Sequence, residues 1–210
     1  MYFRRGKITG SRLKEIYSKR DPDKRKIGFY ELVAEKLGLP PDDGETAMER
    51  GTRLEEEAVD RYAEVSGKEI DKSLLIWFRD DDENIAISPD GVIWPHEAVE
   101  AKCLSSARHI EAYIKKNIDK LSDFEAIPDD YQMQAVQYFI VNDDLQTLHF
   151  VFYDPRFAMY QSPEQRKKNK LEFFWLDVKR EDVQPLIEEY LTFERRTMGK
   201  VNEIVNQLTF

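Results

Sequence analysis

Asp90, Glu100 and Lys102 are the residues whose types and spacing could do chemistry. Asp90 lies in a Ser-Pro-Asp-Gly turn at 88–91, and Glu100 and Lys102 flank Ala101 in an apolar run. Strand residues alternate faces, so Glu100 and Lys102 point one way while Val99 and Ala101 point the other. If the segments around Pro-Asp-Gly pair as a hairpin, Asp90 reaches the same patch. Two carboxylates and an ammonium are costly to desolvate together in a half-buried sheet unless they are paired or hold a metal. Two hard oxygen ligands beside a lysine suit Mg²⁺-dependent phosphodiester cleavage: carboxylates hold the ion, the ion activates water, and the lysine positions it or stabilises charge. The bland alternative is an edge hairpin whose Glu100 and Lys102 form an exposed ion pair of little energetic weight.

The elements that must position these residues belong to a chain of 210 residues, of which 41% are hydrophobic and 12% aromatic. That composition suits one folded domain, 1–210, rather than disorder. No apolar run approaches the roughly 20 residues of a membrane span. The start Met-Tyr-Phe-Arg-Arg-Gly lacks the apolar core of a signal peptide, so a cytoplasmic protein with no membrane partner is expected. Cys103 is the sole cysteine and there are three histidines, which excludes an internal disulfide and leaves no zinc-site spacing. Net charge is −9, yet residues 1–26 carry ten basic side chains against three acidic ones, a local balance of +7 that leaves −16 elsewhere. A basic arm on an acidic body fits a protein that grips phosphate in one place and keeps carboxylates for metal or solubility in another.

Along the chain, Thr9 or Ser11 can cap a first helix, and a helix start with hydroxyls and arginines nearby is also a phosphate cradle. Phe29 to Leu37 reads as a second amphipathic helix. A long helix begins near Thr46 or Met48 and runs to Gly67, with Leu54, Ala58, Val59 and Tyr62 as its apolar stripe and Glu55 beside it. Runs at 74–79, 84–87, 91–94 and 98–102 suggest an antiparallel meander of four strands. A helix over 107–118 and a loop over 119–130 follow. The apolar helix 131–141 carries Gln132, Gln134 and Gln137, of which one enters the site. Strands at 147–153 and 172–177 precede a closing helix of about 181–207. The catalytic core spans 46–156.

Several of these segments resemble one branch of the PD-(D/E)xK nucleases, the phage lambda exonuclease and YqaJ-type viral recombinases. The likeness rests on Arg-x-Gly-x-Ile-Thr-x-Ser (4–11), Gly-x-x-x-Glu (51–55), Ser-Pro-Asp-Gly (88–91), Glu-x-Lys-Cys (100–103), Tyr-x-x-Gln (131–134) and Tyr-Asp-Pro-Arg (153–156), in family order. It implies an α/β restriction-endonuclease-like core with a central mixed sheet flanked by helices. By the same resemblance Asp90 and Glu100, with the carbonyl of Ala101, ligate the catalytic metals, and Glu55 adds a helix carboxylate for the second metal or its waters. Lys102 orients or deprotonates the attacking water, and Gln134 positions Lys102 or that water. Arg4, Thr9 and Ser11 anchor the 5′-phosphate, and Met48 helps splay the strands. Asp80 falls at a further acidic family position of open role. The family's Gln-x-Gln-Tyr run is out of step here, which leaves Gln137 and Tyr138 without an assigned part.

The implied activity is Mg²⁺-dependent 5′→3′ digestion of one strand of linear duplex DNA, with two ions per site and Mn²⁺ able to substitute. It is the work of a homotrimeric ring in a bacterial cell hosting a phage or prophage, and it leaves a 3′ single strand for an annealing protein. Two other readings share the fold. One is an endonuclease of different specificity, although a lone Cys103 argues against the iron–sulfur kind, which needs four thiolates. The other is an inactive DNA-binding module, against which the intact Glu55, Asp90, Glu100 and Lys102 set speaks.

Overall fold

The computed structural model describes residues 6–17, 29, 32, 45–104, 106–117, 121–155, 162–164 and 171–209. Its helices are α1 (Gly10–Ile16), α2 (Glu45–Ser66), α3 (Ser106–Lys116), α4 (Asp123–Ala126), α5 (Asp129–Val141) and α6 (Arg180–Leu208). Its strands are β1 (Trp77–Arg79), β2 (Asp82–Ile87), β3 (Gly91–Ile93), β4 (Glu97–Lys102), β5 (Thr147–Tyr153) and β6 (Phe173–Lys179).

The first four strands do not form the single meander expected from their spacing. β1 and β2 make a separate two-stranded sheet, while β3 and β4 belong to a four-stranded sheet ordered β3-β4-β5-β6. That sheet is mixed: β4 pairs antiparallel with β3 and parallel with β5, which pairs antiparallel with β6. Strand spacing along the chain cannot reveal the parallel pair, because such a pair needs a long crossover. Here the crossover carries α3, α4 and α5. Within it lies a second departure, since 119–130 is not all loop: Ser122 and Glu125 form a reciprocal capping box that starts the one-turn α4.

The sheet separates two apolar layers. On one face Ala98, Leu148, Phe150 and Phe152 pack against α1, α5 and α6. On the other, Val99, Ala101 and Val151 pack against Ala58, Val59 and Tyr62 of α2. A buried polar tie fixes the start of β4. The His149 ring sits between Asp177 (Nδ1 to Oδ1, 2.7 Å) and Glu97 (Nε2 to Oε2, 2.7 Å), and Lys68, just past α2, pairs with Glu97. One end of α2 is thereby fastened to three strands. The N-terminal segment is stitched to β2 by Ile8 N–H donating to the Asn84 carbonyl and Ala86 N–H to the Ile8 carbonyl.

The predicted helix at 29–37 lies mostly outside the described residues; Phe29 and Leu32 are helical and buried. Among the described residues no helix is long and apolar enough to cross a membrane.

Candidate active site

Strand alternation delivers the expected polarity. Glu100 and Lys102 face α5, and their side chains are paired, while Val99 and Ala101 point to α2. Glu100 is 2% exposed, so this is no surface ion pair. The Pro-Asp-Gly segment turns from β2 into β3, steadied by Ser88 Oγ donating to the Leu75 carbonyl at 2.9 Å. Asp90 N–H donates to the Val99 carbonyl at 3.1 Å, and its Oδ2 accepts the Ala101 N–H at 2.8 Å. A strand residue projects its N–H and C=O to the same edge. The Ala101 carbonyl therefore lies on the Asp90 side, away from β5.

Glu100 is the centre of the cluster. Its Oε1 accepts from Lys102 Nζ and Gln134 Nε2, and its Oε2 accepts from the Tyr138 hydroxyl. Gln134 and Tyr138 stand one turn apart on α5 and so share a face. Glu55 reaches the cluster from α2, half-buried and close enough for Lys102 and Glu100 to act on it.

These proximities set the electrostatics. Burial, reinforced by the Glu100 and Glu55 charges, pushes Asp90 up to about 8 against the pull of Lys102 and the Ala101 N–H. Burial likewise raises Glu55, with Glu100 adding to it and Lys102 opposing. Burial works to lower Lys102, but Glu100, Asp90 and Glu55 outweigh it and hold its pKa above the ordinary lysine range. Lys102 is thus an ammonium that balances a cluster of carboxylates. Neighbouring Cys103 is pushed up to about 12, mainly by burial, so it is no thiolate nucleophile.

The donor set suits a hard divalent cation. Two or three carboxylates and a backbone carbonyl offer oxygen alone, and Mg²⁺ takes one or two carboxylates and keeps several waters. Among the described residues no group of three or more His, Cys, Asp or Glu side chains is arranged to hold a metal ion.

The remaining sequence candidates are placed as follows. Thr9 is the N-cap of α1, but its side chain makes no capping bond; its backbone carbonyl accepts from the Arg12 and Leu13 N–H groups at 3.0 and 3.1 Å. The expected hydroxyl cap is thus absent at Thr9, and Ser11 lies exposed inside the helix. Arg4 lies outside the described residues. Met48 falls early in α2, with its side chain outside them. Asp80 is exposed in the turn between β1 and β2. Gln137 turns away from the site: fully buried, it meets Glu194 of α6 without a well-formed hydrogen bond. Tyr138 is the site residue that sequence reasoning passed over. The available signal was its position four residues after Gln134 on the same apolar helix.

A family model, the YqaJ-like viral recombinase domain, matches residues 1–144. The chain belongs to this family. Its matched region contains Glu55, Asp90, Glu100, Lys102, Gln134 and Tyr138 together. The fold agrees with that of an alkaline exonuclease, LHK-Exo, from Laribacter hongkongensis, at 24% identity and a TM-score of 0.74 over 99% of this chain and 94% of that one. Its complex with dAMP gives 24% identity and 0.75 over 99% and 93%. A phage-related exonuclease from Haemophilus somnus 129PT gives 17% and 0.63 over 97% and 96%. A comparison with curated proteins finds no match. The YqaJ-like chain thus shares, nearly end to end, a fold seen in exonucleases.

Proposed function

We propose that this chain is a Mg²⁺-dependent 5′→3′ exodeoxyribonuclease that digests one strand of linear duplex DNA and leaves 3′ single-stranded overhangs for an annealing protein. The observation that carries the reading is the buried Glu100 carboxylate, held by Lys102, Gln134 and Tyr138 beside Asp90. A cluster of this kind is costly to fold unless its charges are used. Asp90, Glu100, the Ala101 carbonyl and Glu55 would hold two Mg²⁺ ions, with Mn²⁺ able to substitute. When bound, the metal supplies Lewis-acid charge to the phosphodiester and the attacking water.

The chain's own residues supply the rest. Asp90 is aimed by the Ala101 N–H, and Glu100 by its three donors. Lys102, an ammonium in this setting, orients the attacking water or stabilises charge on the phosphate, and Gln134 keeps the Glu100–Lys102 pair in register. Arg4, Thr9 and Ser11 would receive a terminal 5′-phosphate, which carries more charge than an internal diester, and Met48 would wedge the strands apart. A homotrimeric ring with its acidic surface outward and the basic arms toward the DNA accommodates the split charge.

Digestion of one linear duplex bearing 5′-phosphate or 5′-hydroxyl ends, with and without Mg²⁺, tests the reading. The expected result is Mg²⁺-dependent release from 5′ ends, faster on 5′-phosphate. Arg4→Ala should narrow the preference by on the order of ten- to a hundredfold, the loss of a charge-assisted contact of ~1.5–3 kcal/mol. Release from 3′ ends, or an equal slowing of both substrates by Arg4→Ala, would contradict the polarity or the anchor respectively.

A further inference from the structure

Glu194 is a buried carboxyl that the candidate site does not use. It sits in the middle of α6 at 0% exposure, and Gln137, which meets it from α5, is also at 0%. Four polar atoms come together there, Gln137 Nε2 and Oε1 and both Glu194 oxygens. Among the described residues none of the four has a well-formed hydrogen bond. The Gln137 amide is nonetheless near enough to act on the carboxyl, as are Asp82 of β2 and Arg79 of β1. Arg79 is already held by Asp143 and Asp81. On α6 itself, Arg195 pairs with Asp81. Tyr17, just past α1, packs edge-on against Phe193 and donates its hydroxyl to Glu189.

Counting donors separates the two protonation states. An ionised carboxylate only accepts. It can take hydrogens from the Gln137 nitrogen, but the Gln137 oxygen then faces it with no donor, and a charge stays enclosed between two helices. A carboxylic acid can donate its O–H to Gln137 Oε1 and accept from Gln137 Nε2 through its other oxygen, so that two bonds satisfy all four atoms. Burial points the same way. It raises Glu194 well above the ordinary glutamate range, against the Gln137 amide, with Asp82 adding to the rise and Arg79 opposing it.

We propose that Glu194 is carried as a neutral acid joined to Gln137 by two hydrogen bonds, and that this pair holds α6 on α5 at the rotation that turns Gln134 to Glu100. Gln134 lies three residues before Gln137 on the same helix, so one cannot turn without the other. Glu194 is thereby a positioning residue that acts on the site only through α5. The pair itself stands apart from the nuclease reading, while its effect on cleavage rests on that reading. The unfolded chain releases the proton near the ordinary glutamate value of roughly 4.3, whereas the folded chain keeps it to higher pH. The stability the pair contributes is therefore full below that value and declines as pH rises toward the folded pKa, by at most roughly tenfold in the folding constant per pH unit.

Full-length parent, Glu194→Gln, Gln137→Met and Glu55→Gln are labelled with ¹³C at glutamate Cδ. Expected at neutral pH is a resonance with the shift of a carboxylic acid, which Glu194→Gln deletes, Gln137→Met displaces and Glu55→Gln leaves in place. Glu194→Gln puts an amide there that can still pair with Gln137 but cannot titrate. It should cleave linear duplex within a few-fold of the parent at neutral pH, and its melting should depend less steeply on pH, by up to one proton. The ratio of its single-turnover rate to the parent's should rise several-fold toward alkaline pH. Gln137→Met strands the acid and should melt lower than Gln137→Met combined with Glu194→Met, because removing both partners leaves nothing unsatisfied. A carboxylate shift for every glutamate at neutral pH overturns the proposal whether or not the variants fold, and so does an acid resonance that only Glu55→Gln deletes. A rate ratio that stays flat with pH removes the positioning role. A parent that shows the acid resonance but does not cleave with Mg²⁺ overturns the nuclease reading and leaves the acid–amide pair standing.

Discussion

Gly10 is the point at which α1 presses on the residues that hold the site. A Cβ added there would lie 2.9 Å from Gln134 Cγ and 3.1 Å from both Gln137 Cβ and Ile87 Cδ1, against the roughly 3.5–4.0 Å of ordinary carbon contacts. Gln137 Cβ is fixed to the α5 backbone and cannot swing aside. In Gly10→Ala, then, either α1 withdraws from α5 or the Gln134 side chain leaves Glu100. Overpacking of this kind costs about 1–3 kcal/mol, offset in part by up to ~1 kcal/mol from the better helix preference of alanine. The folded fraction at 25 °C should hardly change, with a melting temperature lower by a few degrees. Cleavage should suffer more, because a bond to a charged acceptor is worth about 1.5–3 kcal/mol, or roughly ten- to a hundredfold in rate. Gly199→Ala is the control. Nothing lies within 4 Å of the added carbon in α6, so this change should stabilise by about 0.5–1 kcal/mol and leave the rate alone. Single-turnover digestion at saturating Mg²⁺ beside thermal unfolding reads both effects. A folded Gly10→Ala protein that cleaves at the parent rate would refute the argument that α1 packing sets Gln134.

Asp90, pushed up to about 8 in the folded chain from an unfolded value of roughly 3.9, keeps its proton in the native state where the unfolded chain has lost it. Metal-free stability should therefore be full below about pH 4 and decline as pH rises toward 8; Asp90→Asn should flatten that decline in pH-dependent melting while abolishing cleavage. Because a ligating carboxylate must be deprotonated, divalent affinity should climb with pH over the same window, with proton release visible by calorimetry in buffers of different ionisation enthalpy. Lys102→Met should keep Ca²⁺ and DNA binding and lose the single-turnover step. A variant that loses Ca²⁺ binding yet cleaves normally once loaded would assign Lys102 to the metal instead.

The sequence by itself determined what depends on neighbours along the chain. Alternation in β4 put Glu100 and Lys102 on one face, the Pro-Asp-Gly turn brought Asp90 back to that strand, and the period of the apolar residues marked α2, α5 and α6 nearly to their ends. These are local rules, and they act over a few residues. Tertiary structure decided what depends on how distant elements cross. β4 pairs in parallel with β5, and the outer edge of β3 is bridged by Asp71 rather than paired with β2, so β1 and β2 stand as a separate sheet. The packing of α5 against the sheet chose between two buried polar residues, turning Tyr138 to Glu100 and Gln137 to Glu194, and made Gly10 the close contact of α1. Helical period places Gln134, Gln137 and Tyr138 on neighbouring positions of the helix surface. Which of them meets a carboxylate depends on the rotation of the helix over the sheet, and that rotation is set by packing between layers.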